Sequence, residues 1–498
     1  MSETSPPPVG VGALDWAETP QAVRTLVLAL QRQVLVQHEQ IGRLSERMAA
    51  MEERTRRSSR NSSQPPSTDP PSAPARPKRQ RSGRKQGGQP GHEGHGRALL
   101  PPEQVDQVVD AKPTACGHCG QRLLGEDAQP TRHQVADLPR VLPAVTEYRR
   151  HTLVCVACGA TTTADWPAAM PPGSFGPRVA ATVAYLTGRC GVSQREAQEI
   201  LGTVCHLAVG LGSIAALEAQ VSAALAAPMA EAQTAVREQP VANVDETSWR
   251  EQTQRCWRWV AVRALVTVFL VRPSRGSTSA KELLGAAFAG IVGSDRWSGY
   301  TWLATQQRQV CWAHLVRDFT ALVARGGGSK ALGTACLDVA DRLFALWYRV
   351  RDGTLDRATF LLLVVPLQAE LHALLTTGLT VPQAKTRQLC KNLLKVEAAL
   401  WTFVTVSGVE PTNNSAERAL RRAVLWRRRS FGTQSAAGSR FVARVLTAVA
   451  TLRQQERDVL DYLAEATHAA LIGAPLPSLL PPAPAPSAVL PATLPLAA

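Results

Sequence analysis

PTNNSAERALRRAVLWRRRSFGTQ, residues 411–434, sets one carboxylate, Glu417, in a run of arginines and closes on a Gly-containing turn. Thr412 and Asn413 can cap a helix beginning there. Leu420 and Val424 follow Glu417 at i+3 and i+7, which turns Glu417 toward whatever that helix packs on. Upstream, two aspartates each close an apolar strand: Asp245 after VANV in QPVANVDETSW, and Asp295 after GIVGS in GIVGSDRWSGY. The pattern predicts strands at 241–244, 256–263, 265–272, 291–294 and 309–312, with helices near 279–288 and from His314 onward. From 330 to 405, Leu, Ala and Val recur at a helical period with no strand signal, and helices are expected at 413–427 and 438–467. The whole reads as a multidomain α+β chain. Residues 237–322 read as α/β, residues 323–407 as an all-helical block and residues 408–468 as helices again.

Strand ends place side chains rigidly, and Asp245, Asp295 and Glu417 are the residue types that hold two hard divalent ions for phosphoryl transfer. In a chain with 40 acidic residues, each taken singly reads as a cap or a surface charge. The strand and helix order is what makes them a set. Cys311-x-x-His314 in CWAHLVRDF offers half of a metal site with no second half evident. His314 and Arg317 are expected to line the cleft and touch phosphate. Arg418, Arg421, Arg422 and Arg428 recur along the last helix and suit sequence-independent contacts to a DNA backbone. The tryptophans crowding 249–312 can stack on bases, but core packing is the plainer reading.

The chain has 498 residues and a net charge of +15. Residues 54–97 and 418–457 each net +9, and the remainder is mildly negative. Concentrated positive charge points to a polyanion partner. Val27, Leu30, Val34, Gln37, Ile41, Leu44, Met48 and Met51 step by three and four, a heptad seam that pairs helices; a coiled-coil helix is expected at 23–54, with homo-oligomerisation through it. Residues 1–22, the basic linker 55–99 and the Pro/Ala-rich tail 469–498 have compositions of disorder. Cys116/Cys119 and Cys155/Cys158 form two Cys-x-x-Cys pairs, each followed by Gly. Four thiolates suit a closed, structural Zn2+ site in a module at 100–170. Residues 171–236 read as helices, with Ser193 a cap. A break near Gly202 would make a helix-turn-helix; a plain helical support is the other reading. The start, MSETSPPPVG, is polar, and the apolar run ALVTVFLV (264–271) is too short to span a bilayer. A cytoplasmic location and no membrane are expected.

Several motifs together resemble the large transposase of the bacterial insertion-sequence sixty-six family: NSSQPPSTDPP with KQGGQPGHEG, CGHCG…CVACG with VADLP and EYRRH between, VDETSW, GSDRWSGY, CWAHLVRDF, NNSAERALR and RRRSFGTQSAAGSR. The resemblance covers about residues 25–465 and departs at Thr412, where an Asp is expected before the paired Asn. It implies a DDE transposase with a ribonuclease-H-like core. Asp245, Asp295 and Glu417 would then be the catalytic triad holding Mg2+ (or Mn2+), and the helical block before Glu417 an insertion. It further implies DNA partners, namely the element's terminal repeats and its target, with accessory proteins from the same element and action at the bacterial nucleoid. The rival is a catalytically inactive DNA-binding regulator descended from such an enzyme.

Overall fold

The computed structural model describes residues 12–56, 58, 61, 98–167 and 170–481. Most of the basic linker, the first eleven residues and the tail beyond 481 lie outside them. The chain divides into two units. One contains the cysteine pairs (75–170) and residues 192–216; the other contains the remainder.

Helix α1 (Ala13–Glu18) precedes α2 (Gln21–Arg56), a 36-residue helix that carries the heptad seam. Leu30, Val34, Ile41, Leu44, Met48 and Met51 are all exposed along it. In the cysteine-bearing unit, β1 (Thr152–Val154) and β2 (Thr161–Thr163) make a short antiparallel pair. Helix α3 (Pro177–Ala184) runs into a π-helical turn, Tyr185–Cys190. Helix α4 (Gln194–Cys205) opens on a capping box: the Ser193 side chain accepts from the Glu196 amide, and Glu196 accepts from the Ser193 amide. One of the two readings put a break near Gly202, but the helix runs through it and stops at His206, which is left-handed at φ 51°. One glycine costs a helix only about 1 kcal/mol, too little to end it. Helices α5 (Leu211–Ala224) and α6 (Ala226–Arg237) follow.

The α/β layer begins with β3 (Val241–Glu251), β4 (Gln254–Val262) and β5 (Thr267–Arg272), then α7 (Ser277–Leu284), β6 (Ile291–Ser294), β7 (Arg308–Val310) and α8 (Trp312–Arg325). The strand order is β5-β4-β3-β6-β7. The first three strands form an antiparallel meander, while β6 runs parallel to β3 and β7 parallel to β6. Strand β3 is longer than expected because β4 pairs with it as far as Glu251↔Gln254, beyond the reach of β6. Asp245 therefore lies within a strand and not at its end.

Both sheet edges are covered, which removes the open ladder that invites pairing with other chains. At β5 the hydroxyls of Thr447 and Thr451 accept from the amides of Phe269 and Thr267 (2.9 and 3.1 Å). At β7 the Gln309 side chain accepts from the Phe403 amide at 2.8 Å, and Thr402 donates to the Arg308 carbonyl at 2.6 Å.

The insertion comprises α9 (Gly327–Arg351), α10 (Arg357–Thr377), α11 (Ala384–Lys395) and α12 (Thr402–Thr405). With α8 and Val310 it builds one core around Trp347, Phe360 and Phe403. The rings of Trp347 and Phe403 meet edge to face at 5.2 Å. By length and composition α10 is apolar enough to cross a membrane, a longer apolar stretch than the run at 264–271. Its stripe of Phe360, Val364, Leu367, Leu371 and Leu375 is buried in the insertion.

The chain returns as α13 (Asn414–Ser430), α14 (Ala436–Gln454) and α15 (Val459–Ile472). One helix was expected over 438–467. Glu456, left-handed at φ 56°, divides it, and Asp458 caps the second piece. The start of the segment expected to be disordered is packed: Leu479 is buried, and Tyr462 donates to the Pro477 carbonyl at 2.8 Å.

Candidate active site

The parallel pairing of β3 with β6 sets the first two carboxylates. Asn243 pairs with Gly293, and Asp245 and Asp295 each lie two residues further along neighbouring strands. They therefore share one face and one level of the sheet. A Cβ on Gly293 would fall 2.4 Å from Asn243 Oδ1, so the Asn243 side chain lies over the space that the glycine leaves. Asp245 Oδ1 accepts from the Glu246 amide and Asp295 Oδ1 from the Trp297 amide, both at 2.9 Å.

Helix α13 brings the third carboxylate. Its buried stripe is Ala416, Leu420 and Ala423, and Trp426 stacks on Trp249 of β3 with ring centroids 5.1 Å apart. The helix start is pinned to the sheet by a wholly buried Asn413, whose Nδ2 donates to the Val244 carbonyl (3.3 Å) and whose amide donates to Cys311 Sγ (3.4 Å). The Trp312 amide donates to the Pro411 carbonyl at 2.9 Å. These bonds set Glu417 beside α8, with its Oε1 3.7 Å from His314 Nδ1 and 3.6 Å from an Arg317 nitrogen.

Asp245, Asp295 and Glu417 bear on one another through charge, although as a group their oxygens do not all lie within 4.8 Å of one another. The Asp245 carboxyl is pushed well above the usual carboxylate range, first by burial and then by the negative charges of Glu246, Asp295 and Glu417. The next residue, Glu246, points to the opposite face, as strand alternation requires. Its side chain is 1% exposed, paired with Arg275 at 2.8 Å, and accepts from the Tyr300 hydroxyl at 2.7 Å. Burial, Arg317 and Arg296 lower His314 to about 3, so its imidazole is neutral, and burial raises the Cys311 thiol to about 11.

Among the described residues, Cys311, His314 and Glu417 are the His/Cys/Asp/Glu group whose ligand atoms lie within 4.8 Å of one another. The missing half of the Cys-x-x-His motif is thus Glu417, about a hundred residues away in the chain. Asp245, Asp295 and Glu417 offer hard oxygens in an excess of negative charge, the donor set that Mg2+ takes. Asn413, expected as a cap, stands at the N-cap of α13 but makes no capping bond with its side chain, which reaches β3 instead. Glu246 and Tyr300 were missed from sequence; alternation along β3 would have put Glu246 opposite Asp245, and nothing local marks Tyr300.

The cysteine pairs build matching turns. The amides of Gly120 and Gly159 donate to the carbonyls of Cys116 and Cys155 (2.9 and 2.8 Å), and both glycines are left-handed at φ 73° and 74°. Backbone N–H groups of Cys119 and His118 lower the Cys116 thiol, and those of Ala157 and Cys158 lower the Cys155 thiol. That favours the thiolates a metal needs. Each pair forms its own knuckle, and the four sulfurs are not gathered as tightly as the Cys311 group. Arg418, Arg421, Arg422 and Arg428 are exposed on α13, whereas Arg427 turns inward to Thr247 Oγ1 (3.2 Å) and the Ser248 carbonyl.

A family model described as "Transposase IS66 family" matches residues 172–440, and a family of unknown function (DUF6444) matches residues 15–98. Two similar proteins come from Sinorhizobium fredii (strain NBRC 101917 / NGR234). Uncharacterized protein y4qI is 28% identical over 239 residues, 43% of each chain. Uncharacterized protein y4hP is 26% identical over 408 residues, 72% of this chain and 71% of that one. The chain thus spans less than half the length of the first and about seven-tenths of the second.

Proposed function

The chain belongs to the IS66 family of transposases, and from that membership we propose a DDE-type enzyme that binds the ends of its element, cuts a DNA strand there and transfers the freed end into target DNA. The carrying observation is that Asp295 and Glu417, distant in sequence, both bear electrostatically on the Asp245 carboxyl. The strand order β5-β4-β3-β6-β7, a meander continued by two parallel strands, supports a ribonuclease-H-like core.

In this reading Asp245, Asp295 and Glu417 hold the metal. Two Mg2+ (or Mn2+) ions, when bound, supply activation of the attacking oxygen and stabilisation of the leaving one. The strands and α13 hold the three carboxylates in place before DNA arrives. The neutral imidazole of His314 and the guanidinium of Arg317 flank Glu417 and orient it, with Arg317 also facing phosphate. Arg418, Arg421, Arg422 and Arg428 contact the DNA backbone. Cys116, Cys119, Cys155 and Cys158 close around one Zn2+ that braces the end-binding unit. The exposed seam of α2 pairs protomers so that two ends meet, with accessory proteins of the same element as further partners. The site of action is the cytoplasm, at the nucleoid.

The test is strand cleavage of an end-containing duplex by the full chain in Mg2+, compared with Asp245→Ala, Asp295→Ala and Glu417→Ala. Each variant is expected to bind the duplex and leave it uncut. Cutting retained by any one removes that residue from the triad. Binding without cutting by the parent chain leaves the inactive regulator.

A further inference from the structure

One of the α13 arginines assigned above to the DNA backbone, Arg422, stands with two further arginines that the proposed function does not use. The π-helical turn Tyr185–Cys190 is of a kind often found at functional sites, and it is wedged between two helices. A Cβ on Gly188 would lie 2.8 Å from Val445 of α14, and one on Gly191 would lie 2.6 Å from Trp426 of α13. Trp426 Nε1 also donates to the Thr187 carbonyl at 2.9 Å. The wedge carries Arg189, which is partly buried. Arg453 arrives from α14, donating to the Tyr185 hydroxyl at 2.6 Å with its guanidinium 5.9 Å from that ring's centre. Arg422 arrives from α13, one turn before Trp426 and exposed.

Three guanidinium groups from three elements thus converge. Burial, then Arg453 and Arg422, hold Arg189 below its usual value, against smaller opposing effects of Tyr185 and Cys190. Gathering like charges is costly in the free protein and becomes favourable when an anion with several acceptor oxygens sits among them. On a helical wheel, Arg422 and Trp426 lie to one side of the buried stripe of α13 and Glu417 to the other. With a helix about 10–12 Å across, a phosphate held here is not the one at the carboxylates.

We propose that Arg189, Arg422 and Arg453 form a clamp for backbone phosphates of a stretch of DNA duplex away from the cleaved bond. The proposal rests on the DNA-transposase reading and names the contact that reading leaves open.

The experiment measures binding of the full chain to a fluorescent duplex across a salt series. The slope of log affinity against log salt should shrink by about 0.9 for each phosphate contact removed. Arg422→Gln is expected to lose one such step and the triple variant with Arg189→Gln and Arg453→Gln nearly three. Arg422→Lys should keep the parent slope, as should the control Arg349→Gln on α9. Arg422 is exposed, so its variant tests the clamp even if loss of Arg453 unsettles Tyr185. A triple variant with the parent slope overturns the clamp while DNA binding stands. A triple variant that keeps the DNA slope but loses affinity for polyglutamate assigns the surface to an acidic protein and also overturns it. A parent chain with no salt-dependent DNA affinity fails the transposase reading itself, and the clamp with it.

Discussion

From 241 to 310, Val244, Trp259, Val260, Val268, Val292 and Val310 are withdrawn from solvent completely, whereas from 98 to 167 no described side chain is buried at all. Leu124, Leu138, Val145 and Val156 stand open in the second stretch, which is held by turns, a three-residue strand pair and surface contacts. The first stretch can hold its shape through burial. The second has nothing to offset the conformational entropy of ordering except what binds it. That is the situation in which metal affinity becomes folding free energy. If both bind metal as proposed, the two cysteine pairs need it to hold a fold, whereas the three carboxylates stand in a layer that burial already holds.

The comparison breaks most visibly by chelation. Stripping metal, or Cys116→Ser, should abolish amide protection over residues 98–167, since structural zinc is worth roughly 10–16 kcal/mol, and leave protection over 241–310 intact. Hydrogen exchange reads both at once, and equal protection with and without chelator would end the argument. Next in size, Phe403→Ala empties the aromatic centre of the insertion and should cost about 3–5 kcal/mol in denaturant unfolding, without touching the cysteine segment. Thr447→Val removes the acceptor for the Phe269 amide and should cost about 1–3 kcal/mol.

The smallest effect has the opposite sign. The Asp245 carboxyl is raised in the folded chain. The folded state therefore gives up nothing below its unfolded value of about 4 and loses stability as pH climbs through the raised range. In metal-free protein at neutral pH, Asp245→Asn should melt slightly higher than the parent. Added Mg2+ should raise the melting temperature of the parent and not of the variant. A variant that melts lower in the absence of metal would show that the carboxylate is not held against repulsion.

Much of the α/β layer was legible because its strands are apolar runs ended by turn residues, and Asp295 and Glu417 stand just past a strand and at a helix start, whereas Asp245 proved to lie inside β3. The extension of β3 to Glu251 was not legible, since DETSWRE owes its strand form to the partner β4. Nor was the break at Glu456, where a left-handed residue interrupts an unbroken helical pattern. Cys311 and His314 were visible as a pair, but their third neighbour comes from a contact across a hundred residues, to which no local periodicity points. Arg258 went unremarked: fully buried, its guanidinium 3.5 Å from the centre of the Trp249 ring, with no hydrogen-bond partner and lowered to about 9 by burial and Arg427. An arginine in a strand reads from sequence as a surface charge.

The excursion through α9–α12 leaves the sheet at Cys311–Trp312 and returns at Pro411–Asn413, where two hydrogen bonds stitch departure to return. Loop-closure entropy grows only with the logarithm of the intervening length, so the position of Glu417 is almost indifferent to how many residues are threaded between. What fixes it is the short seam at the two ends of the excursion, with the lobe tied to the β7 edge through Thr402 and Phe403.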